Sequence, residues 1–453
     1  MKTKIKLIDI EDLEYPSTGI AHINGKKIKV KNTLPGQKLQ VKLSRGKGRV
    51  VNIISKSDHE KEPICDVFYE CGGCTYQNID YSYEINLKEK VVLDLFKATN
   101  ITNFKYLGIQ GGEVTESITV PYRNKMEYSF GDEYKNGPTT IGLRKSNAYY
   151  EVINSKICNI VDCDFTTILF CVQNYFSNKD EVFYNKRLHV GALRHLVIRK
   201  GINTGEILVN LVTTSQIKED LKDFSSQIKS INLKGKIVGI LHTINDSVSD
   251  VVKSEKVNVL YGQDYYIENL MGLKFKVYPM SFFQTNTVGA AYLYSIVKNF
   301  VQDCGDVSVA YDLYCGTGTI AQILSNIVNH VYGIDISKDS IKAANENALL
   351  NNINNCHFYA GDVKDVINEI SATPDVIIVD PPREGLTKKA LKSVVDIGAN
   401  HIIYVSCKPT SLVENIEDFI QFGYKIKKLK LLDMFPRTSH IEAICHLKKL
   451  EIC

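Results

Sequence analysis

Between residues 1 and 57, apolar and polar positions alternate in Lys27–Lys31 and again in Lys38–Leu43, and the turn dipeptides Asn24-Gly25 and Pro35-Gly36 interrupt the runs. About five short strands in so short a stretch predict a small barrel of the OB type. The period then changes. Over residues 81–98, Tyr83, Leu87, Val91, Leu93, Leu95 and Phe96 recur at helical spacing and predict an amphipathic helix. Strand patterns dominate from about residue 118 to 270, as in Leu196–Arg199, Ile207–Val212 and Ile237–Thr243. From about residue 277 strands and helices alternate: Val309–Leu313 is followed by a helix over Gly318–Asn326, His330–Ile334 by a helix over Lys338–Asn351, and Val376–Val379 and His401–Val405 are further strands. That alternation predicts a doubly wound α/β domain. No internal repeat or low-complexity tract breaks the series.

Composition changes the picture in two places. Residues 1–57 hold 13 Lys and Arg against 4 Asp and Glu, whereas the whole 453-residue chain has a net charge of only +4. A basic module on a mildly acidic body points to a polyanionic partner, and Ser44-Arg45-Gly46-Lys47-Gly48-Arg49 is a basic loop suited to phosphates. No uncharged apolar run reaches the ~18 residues of a membrane span, and Met1-Lys2-Thr3-Lys4-Ile5-Lys6 leads into acidic residues without a signal-peptide pattern. The expectation is a cytoplasmic protein with no membrane partner. In such a compartment the 12 cysteines are expected to serve metal binding, catalysis or packing rather than disulfides.

The chemistry concentrates after residue 309. Val309–Leu313 feeds Tyr314-Cys315-Gly316-Thr317-Gly318-Thr319, where glycines let backbone approach a ligand closely. Asp335 closes the next strand, 19 residues after Gly316, where a carboxylate can accept from a ribose diol, and Asp362 follows a third strand, placed to hold an adenine amine. The third glycine of a nicotinamide fingerprint is missing, so the order fits S-adenosylmethionine better. Asp380-Pro381-Pro382-Arg383 ends a fourth strand. Amino-group methyltransferases with related motifs place an aromatic residue where Arg383 stands, which argues against methylation of an exocyclic amine. Tyr404-Val405-Ser406-Cys407-Lys408-Pro409 begins 24 residues after Asp380, and His440-Ile441-Glu442 comes later. Carbon 5 of uracil is a poor nucleophile until a thiolate adds at carbon 6, and the carbon-5 proton must afterwards leave. That chemistry needs one cysteine, one base and a methyl donor. Cys407 is the candidate nucleophile, with Lys408 beside it expected to lower its pKa, and Glu442 is the candidate base. A cytosine-carbon enzyme would be expected to carry a second cysteine at its proline motif, and the chain has no Pro-Cys dipeptide.

Cys65, Cys71 and Cys74 supply three closely spaced thiolates in a pattern unlike the C-x3-C-x2-C of radical enzymes. Cys158 and Cys163 are candidates for a fourth ligand, and four cysteines suit either zinc or an iron–sulfur cluster. Cys171, Cys304, Cys315, Cys356, Cys445 and Cys453 are assigned to packing or to no role.

Taken together these residues resemble the bacterial RNA uracil-5-methyltransferases over essentially the whole chain, in particular the 23S rRNA branch with a TRAM domain and a [4Fe-4S] cluster. Pro121-Tyr122-Arg123-Asn124-Lys125, Phe283-Gln284-Thr285-Asn286 and Lys156-Ile157-Cys158-Asn159-Ile160 match further motifs of that family. The resemblance implies an α/β fold: a C-terminal Rossmann-like methyltransferase domain over 77–110 and 271–453, a TRAM barrel over 1–58, and a central α+β iron–sulfur domain over 59–76 and 111–270. It implies donor contacts at Gln284, Tyr314, Asp335, Asp362 and Asp380, cluster ligands at Cys65, Cys71, Cys74 and Cys158, Cys407 as nucleophile and Glu442 as proton acceptor. The implied partner is 23S rRNA, bound by a monomer that flips its uridine from a loop. Two departures stand out: Lys408 where the family usually has Asn, and Asp335 where it usually has Glu. The alternatives are the same chemistry on tRNA, whose bacterial branch generally lacks both the TRAM module and the cluster, and an RNA-binding or folding factor with a vestigial site.

Overall fold

The computed structural model describes residues 5–111, 114–115, 118–119, 121–146, 148, 151–153, 158–248 and 256–450. Lys156, Ile157 and Cys453 fall outside them. The chain forms two compact units, one of Met1–Ile64, Cys74–Gly112 and Val376–Cys453, the other of Cys65–Gly73 and Glu113–Asp375. Among the described residues no helix is long and apolar enough to cross a membrane.

The first unit opens with β1 (Ile5–Asp9), β2 (Asp12–Glu14), β3 (Thr18–Ile23), β4 (Lys26–Lys31), β5 (Lys38–Ser44) and β6 (Lys47–Ser55), arranged β1-β5-β6-β4-β3-β2. Alternation of side chains turns Ile8, Ala21, Ile28, Val30, Leu39 and Val41 into one core while the lysines of β4 face solvent. Helix α1 (Tyr81–Ala98) lies where the spacing predicts it, but its buried face differs. Leu87, Val91, Val92 and Phe96 are joined by Glu84 and Lys88, while Tyr83, Leu93 and Leu95 are only partly buried. Burying those charges is tolerable because Lys88 Nζ lies 2.7 Å from Glu84 Oε1 and 2.9 Å from Asp433 Oδ1. Strand β7 (Lys105–Gln110) follows.

In the second unit a short pair, β8 (Val114–Thr115) and β9 (Ile118–Thr119), precedes a seven-stranded sheet. Its strands are β10 (Lys125–Asp132), β11 (Thr139–Arg144), β12 (Val152–Ile153), β13 (Leu193–Lys200), β14 (Glu206–Thr213), β15 (Lys236–Ile244) and β16 (Lys256–Gly262), in the order β12-β11-β10-β13-β14-β15-β16. Helices α2 (Cys163–Ser177) and α3 (Lys222–Ser230) cover it, with Phe176 edge-on to Phe130 at 5.5 Å and Tyr175 edge-on to Phe224 at 5.4 Å. The hairpin β17 (Tyr266–Leu270) and β18 (Leu273–Val277) and helix α4 (Thr287–Gln302) lead into alternating elements: β19 (Val309–Leu313), α5 (Thr319–Leu324), β20 (His330–Asp335), α6 (Lys338–Leu350), β21 (Cys356–Ala360) and α7 (Val363–Val366). β19, β20 and β21 run parallel. The helix expected over 318–326 spans Thr319–Leu324, with Gly318 at a left-handed φ of 71° as its N-cap and Ser325 as its C-cap.

The chain then returns to the first unit with β22 (Val376–Val379), α8 (Lys388–Ile397), β23 (His401–Ser406), α9 (Pro409–Gln421), β24 (Tyr424–Leu432) and β25 (Glu442–Lys449). β22 and β23 are parallel, whereas β25 runs antiparallel to both β23 and β24, and β24 is flanked by β7. An antiparallel hairpin thus ends the alternating α/β series, and its register with β23 sets the site.

Candidate active site

Register brings the candidate nucleophile and base together. Ser406 on β23 pairs with Ala443 on β25, so the next positions outward are Cys407 and Glu442. Cys407 sits at the bend where β23 ends and α9 begins. The bend is fixed by Ser406, whose hydroxyl accepts from the Lys408 amide at 3.2 Å and donates to the Lys408 carbonyl at 3.1 Å, and by Pro409 in the first turn of the helix. Glu442 opens β25 opposite Leu432 and is only 4% exposed.

The Asp380-Pro381-Pro382-Arg383 loop is clipped to α9. Ser411 Oγ donates to the Arg383 carbonyl at 3.0 Å, and Asn415 bonds Leu386 in both directions, at 2.8 and 2.9 Å, while accepting from the Tyr404 hydroxyl at 2.7 Å. Gly385 is required there, because a Cβ would fall 2.7 Å from Asn415 Oδ1. Burial pushes the Asp380 carboxyl up to about 7. Burial, then the Asp380 charge, pushes Glu442 up to about 8, with Arg383 opposing. Its ionised form is basic enough to accept a proton, and the ionised fraction grows as pH rises toward about 8.

The thiol does not behave as its sequence neighbour suggests. Cys407 is raised from 9.0 to about 11, by burial first and then by the charges of Glu442 and Asp380. The cation that opposes this is Arg383; Lys408 is exposed and does not contribute. The expectation of a lowered pKa is therefore overturned by burial first and then by two carboxylates that sequence proximity does not reveal. Sequence reasoning also misses Tyr15, in the turn between β2 and β3. Its phenol is raised by burial and then by the charges of Cys407 and Glu442, which brings a residue of the N-terminal barrel within electrostatic range of the pair. Nothing in the sequence marks it.

In the second unit, Tyr314 and Gly316 adopt left-handed φ values of 64° and 54°. Asp335 orients the loop: its carboxylate accepts from the Gly316 amide at 3.0 Å and from the Ser337 amide at 2.8 Å, keeping further lone pairs for a ligand. A Cβ on Gly316 would meet nothing within 4 Å, which leaves open space in front of the loop, whereas one on Gly318 would fall 2.5 Å from the Phe358 ring. Asp362 caps α7 through the Lys364 amide at 3.1 Å, and its charge helps raise the Tyr314 phenol, after burial. Gln284 is buried just before α4, and its carbonyl accepts from Asn124 Nδ2 at 2.9 Å. Open space, bent glycines and oriented carboxylates fit S-adenosylmethionine.

Cys65, Cys71 and Cys158 belong to the second unit, and Cys74 begins a segment of the first. Cys71 Sγ accepts from the Gly73 amide at 3.3 Å, and its thiol is raised by burial and also by Cys65. Cys74 Sγ accepts from Gln77 Nε2 at 3.5 Å. Both sulfurs thus accept N–H bonds, as the sulfurs around iron–sulfur clusters do.

A family model described as tRNA (uracil-5-)-methyltransferase matches residues 193–450, and a TRAM domain model matches residues 1–51. An uncharacterized RNA methyltransferase of Clostridium tetani is 46% identical, over 98% of this chain and 97% of its own. One of Clostridium acetobutylicum is 45% identical, over 97% and 96%. Among solved structures, the Pyrococcus abyssi tRNA (uracil-54, C5)-methyltransferase in complex with S-adenosyl-L-homocysteine shares the fold, with a TM-score of 0.75 and 23% identity, covering 97% of this chain and 100% of that one.

Proposed function

The chain belongs to the tRNA (uracil-5-)-methyltransferase family of S-adenosylmethionine-dependent RNA methyltransferases, with a TRAM domain, and we propose that it methylates carbon 5 of a specific uridine in 23S rRNA, as a monomer, with Cys407 as nucleophile and Glu442 as proton acceptor. The observation that carries this reading is the register that sets Cys407 opposite a buried Glu442 whose carboxyl is pushed up to about 8. Once deprotonated, Cys407 Sγ adds to carbon 6 of the flipped uracil and moves electron density to carbon 5. S-adenosylmethionine supplies an electrophilic methyl group, with Gln284, Tyr314, Asp335, Asp362 and Asp380 proposed as its contacts. With carbon 5 methylated, Glu442 removes the carbon-5 proton, the carbon 5–carbon 6 double bond re-forms and the Cys407 thiolate leaves. Arg383 tempers the repulsion among Asp380, Glu442 and Cys407.

The barrel over 1–58 is proposed to hold RNA, the central domain over 59–76 and 111–270 to carry a [4Fe-4S] cluster on Cys65, Cys71, Cys74 and Cys158, and residues 77–110 and 271–453 to form the catalytic domain. The net reaction moves no electrons, so the cluster's role is structural or RNA-orienting. Support for rRNA is the TRAM module together with the cysteine set, both of which the bacterial tRNA branch generally lacks. A second reading, tRNA as acceptor, is favoured by the acceptor of the Pyrococcus abyssi relative. Mapping 5-methyluridine by mass spectrometry in 23S rRNA and tRNA from cells with and without the chain decides between them. Loss of one or two rRNA sites supports the proposal. Loss from tRNA alone transfers the same chemistry to the second reading, and no change in either RNA refutes both.

A further inference from the structure

The loop that delivers Glu442 is tied to α1 through a buried ionic network. Asp433 follows β24, and its carboxylate accepts from Lys88 Nζ at 2.9 Å and from the Tyr81 hydroxyl at 2.9 Å. Lys88 Nζ also reaches Glu84 Oε1 at 2.7 Å and the Phe435 carbonyl at 3.3 Å. Glu84 Oε1 in turn accepts the Arg437 amide at 2.7 Å. Arg437 holds a left-handed φ of 68°, uncommon for a side chain of this size, and both its carbonyl and its guanidinium bond the segment 75–79. Its carbonyl accepts from the Thr75 and Tyr76 amides at 2.7 and 3.0 Å. Its Nη1 donates to the carbonyls of Ile79 at 2.8 Å and Tyr76 at 3.3 Å, and lies 3.5 Å from Glu84 Oε2. Two cations face two carboxylates, so the network carries no net charge. Glu84, Lys88 and Asp433 are essentially solvent-free.

What the network holds matters as much as how. Residues 433–441 are the connection between β24 and β25, and Glu442 is the first residue after it. From Arg437 the chain reaches Glu442 through Thr438, whose hydroxyl donates to the Phe435 carbonyl at 2.8 Å and accepts from the His440 amide at 3.2 Å, and through the buried Ile441. The pinning segment itself begins immediately after Cys74.

We propose that Arg437, Glu84, Lys88 and Asp433 are positioning residues that fix the β24–β25 connection so that Glu442 meets the carbon-5 proton, and that residues 75–79 give this brace its footing beside Cys74. The proposal rests on the reading of Glu442 as the proton acceptor. It assigns α1 and the segment after Cys74 a role in the last step of catalysis, without any group of theirs touching the substrate.

The test separates that step from the earlier ones. Full-length Arg437→Gly relieves the left-handed φ while removing the guanidinium, and it is assayed on unmodified 23S rRNA and tRNA transcripts. The expected result is a fall in kcat of about tenfold or more, with KM for S-adenosylmethionine unchanged. A covalent enzyme–RNA complex accumulates on ordinary RNA, the isotope effect with 5-deuterated uridine rises, and adduct formation with 5-fluorouridine RNA, which stops before proton removal, keeps its normal rate. Glu442→Gln, run alongside, must accumulate the same complex. If it does not, the assignment of Glu442 falls and the brace falls with it. If Glu442→Gln accumulates the complex and Arg437→Gly does not, the brace alone is overturned. Should Arg437→Gly fail to fold, Tyr81→Phe removes a single bond to Asp433 and is expected to give the same signature at smaller size; a Tyr81→Phe enzyme with an unchanged isotope effect overturns the proposal.

Discussion

Alkylation of Cys407 by iodoacetamide should continue to accelerate with pH well beyond the point where an ordinary cysteine levels off. The site raises this thiol from 9.0 to about 11. Two units are worth about 2.7 kcal/mol and leave about a hundredfold less thiolate than an unperturbed cysteine near neutral pH. Each thiolate is intrinsically more reactive as its pKa rises, by about tenfold over two units at a Brønsted slope of about 0.4–0.5. The net expectation is alkylation about tenfold slower than a free cysteine near neutral pH, rising with hydroxide toward a plateau near pH 11 rather than near 9. The causes can be separated. Glu442→Gln removes the largest electrostatic cause but not the burial, so the plateau moves down, while near neutral pH, where a carboxyl raised to about 8 is mostly protonated, the rate changes little. Arg383→Gln removes the opposing cation, so the plateau moves up. The assay is mass-spectrometric quantification of the Cys407 peptide after timed labelling across pH, with the exposed Cys163 as an internal standard for reagent and denaturation. A plateau at or below pH 9, or a plateau unmoved by Glu442→Gln, would refute the argument that burial and the charges of Glu442 and Asp380 hold the resting thiol protonated.

Three other outcomes follow from the same structure. Gly318→Ala places a Cβ 2.5 Å from the Phe358 ring at a left-handed φ, and should destabilise the second unit by about 2–4 kcal/mol in urea unfolding. Glu442 is raised from 4.5 to about 8, so the folded state binds the extra proton between those values. Its contribution to stability is therefore full below about pH 4.5 and is lost as pH rises through about 8, at up to about 1.4 kcal/mol per pH unit; Glu442→Gln should gain on the wild type from pH 5 to pH 8, and a difference constant with pH would contradict the shift. Cys71→Ser should lower the iron and sulfide content of anaerobically purified protein, and unchanged content would remove Cys71 from the proposed ligand set.

How much of this was legible in the sequence depends on the reach of the interaction concerned. Strand and helix periods are local, and Val309–Leu313, Val376–Val379 and the α1 span were legible for that reason. The α1 face was misread at Glu84 and Lys88 because a helical period cannot anticipate partners more than three hundred residues away, and those partners, Asp433 and Arg437, are what make burying the charges tolerable. The same limit governs the site. Residue types near Cys407 and Glu442 suggest a chemistry, but the 34 intervening residues say nothing about register, and it is the antiparallel return of β25 along β23 that makes them neighbours. Lys408 is adjacent in sequence yet points to solvent, while Glu442 and Asp380 are distant in sequence yet set the charge the thiol experiences. Tyr15 is the extreme case, a residue of the basic barrel whose ionisation is coupled to a cysteine nearly four hundred residues on. The electrostatics of this site are thus a property of strand order: a substitution at Lys408 should leave the Cys407 plateau nearly unmoved, while one at Glu442, remote along the chain, should shift it.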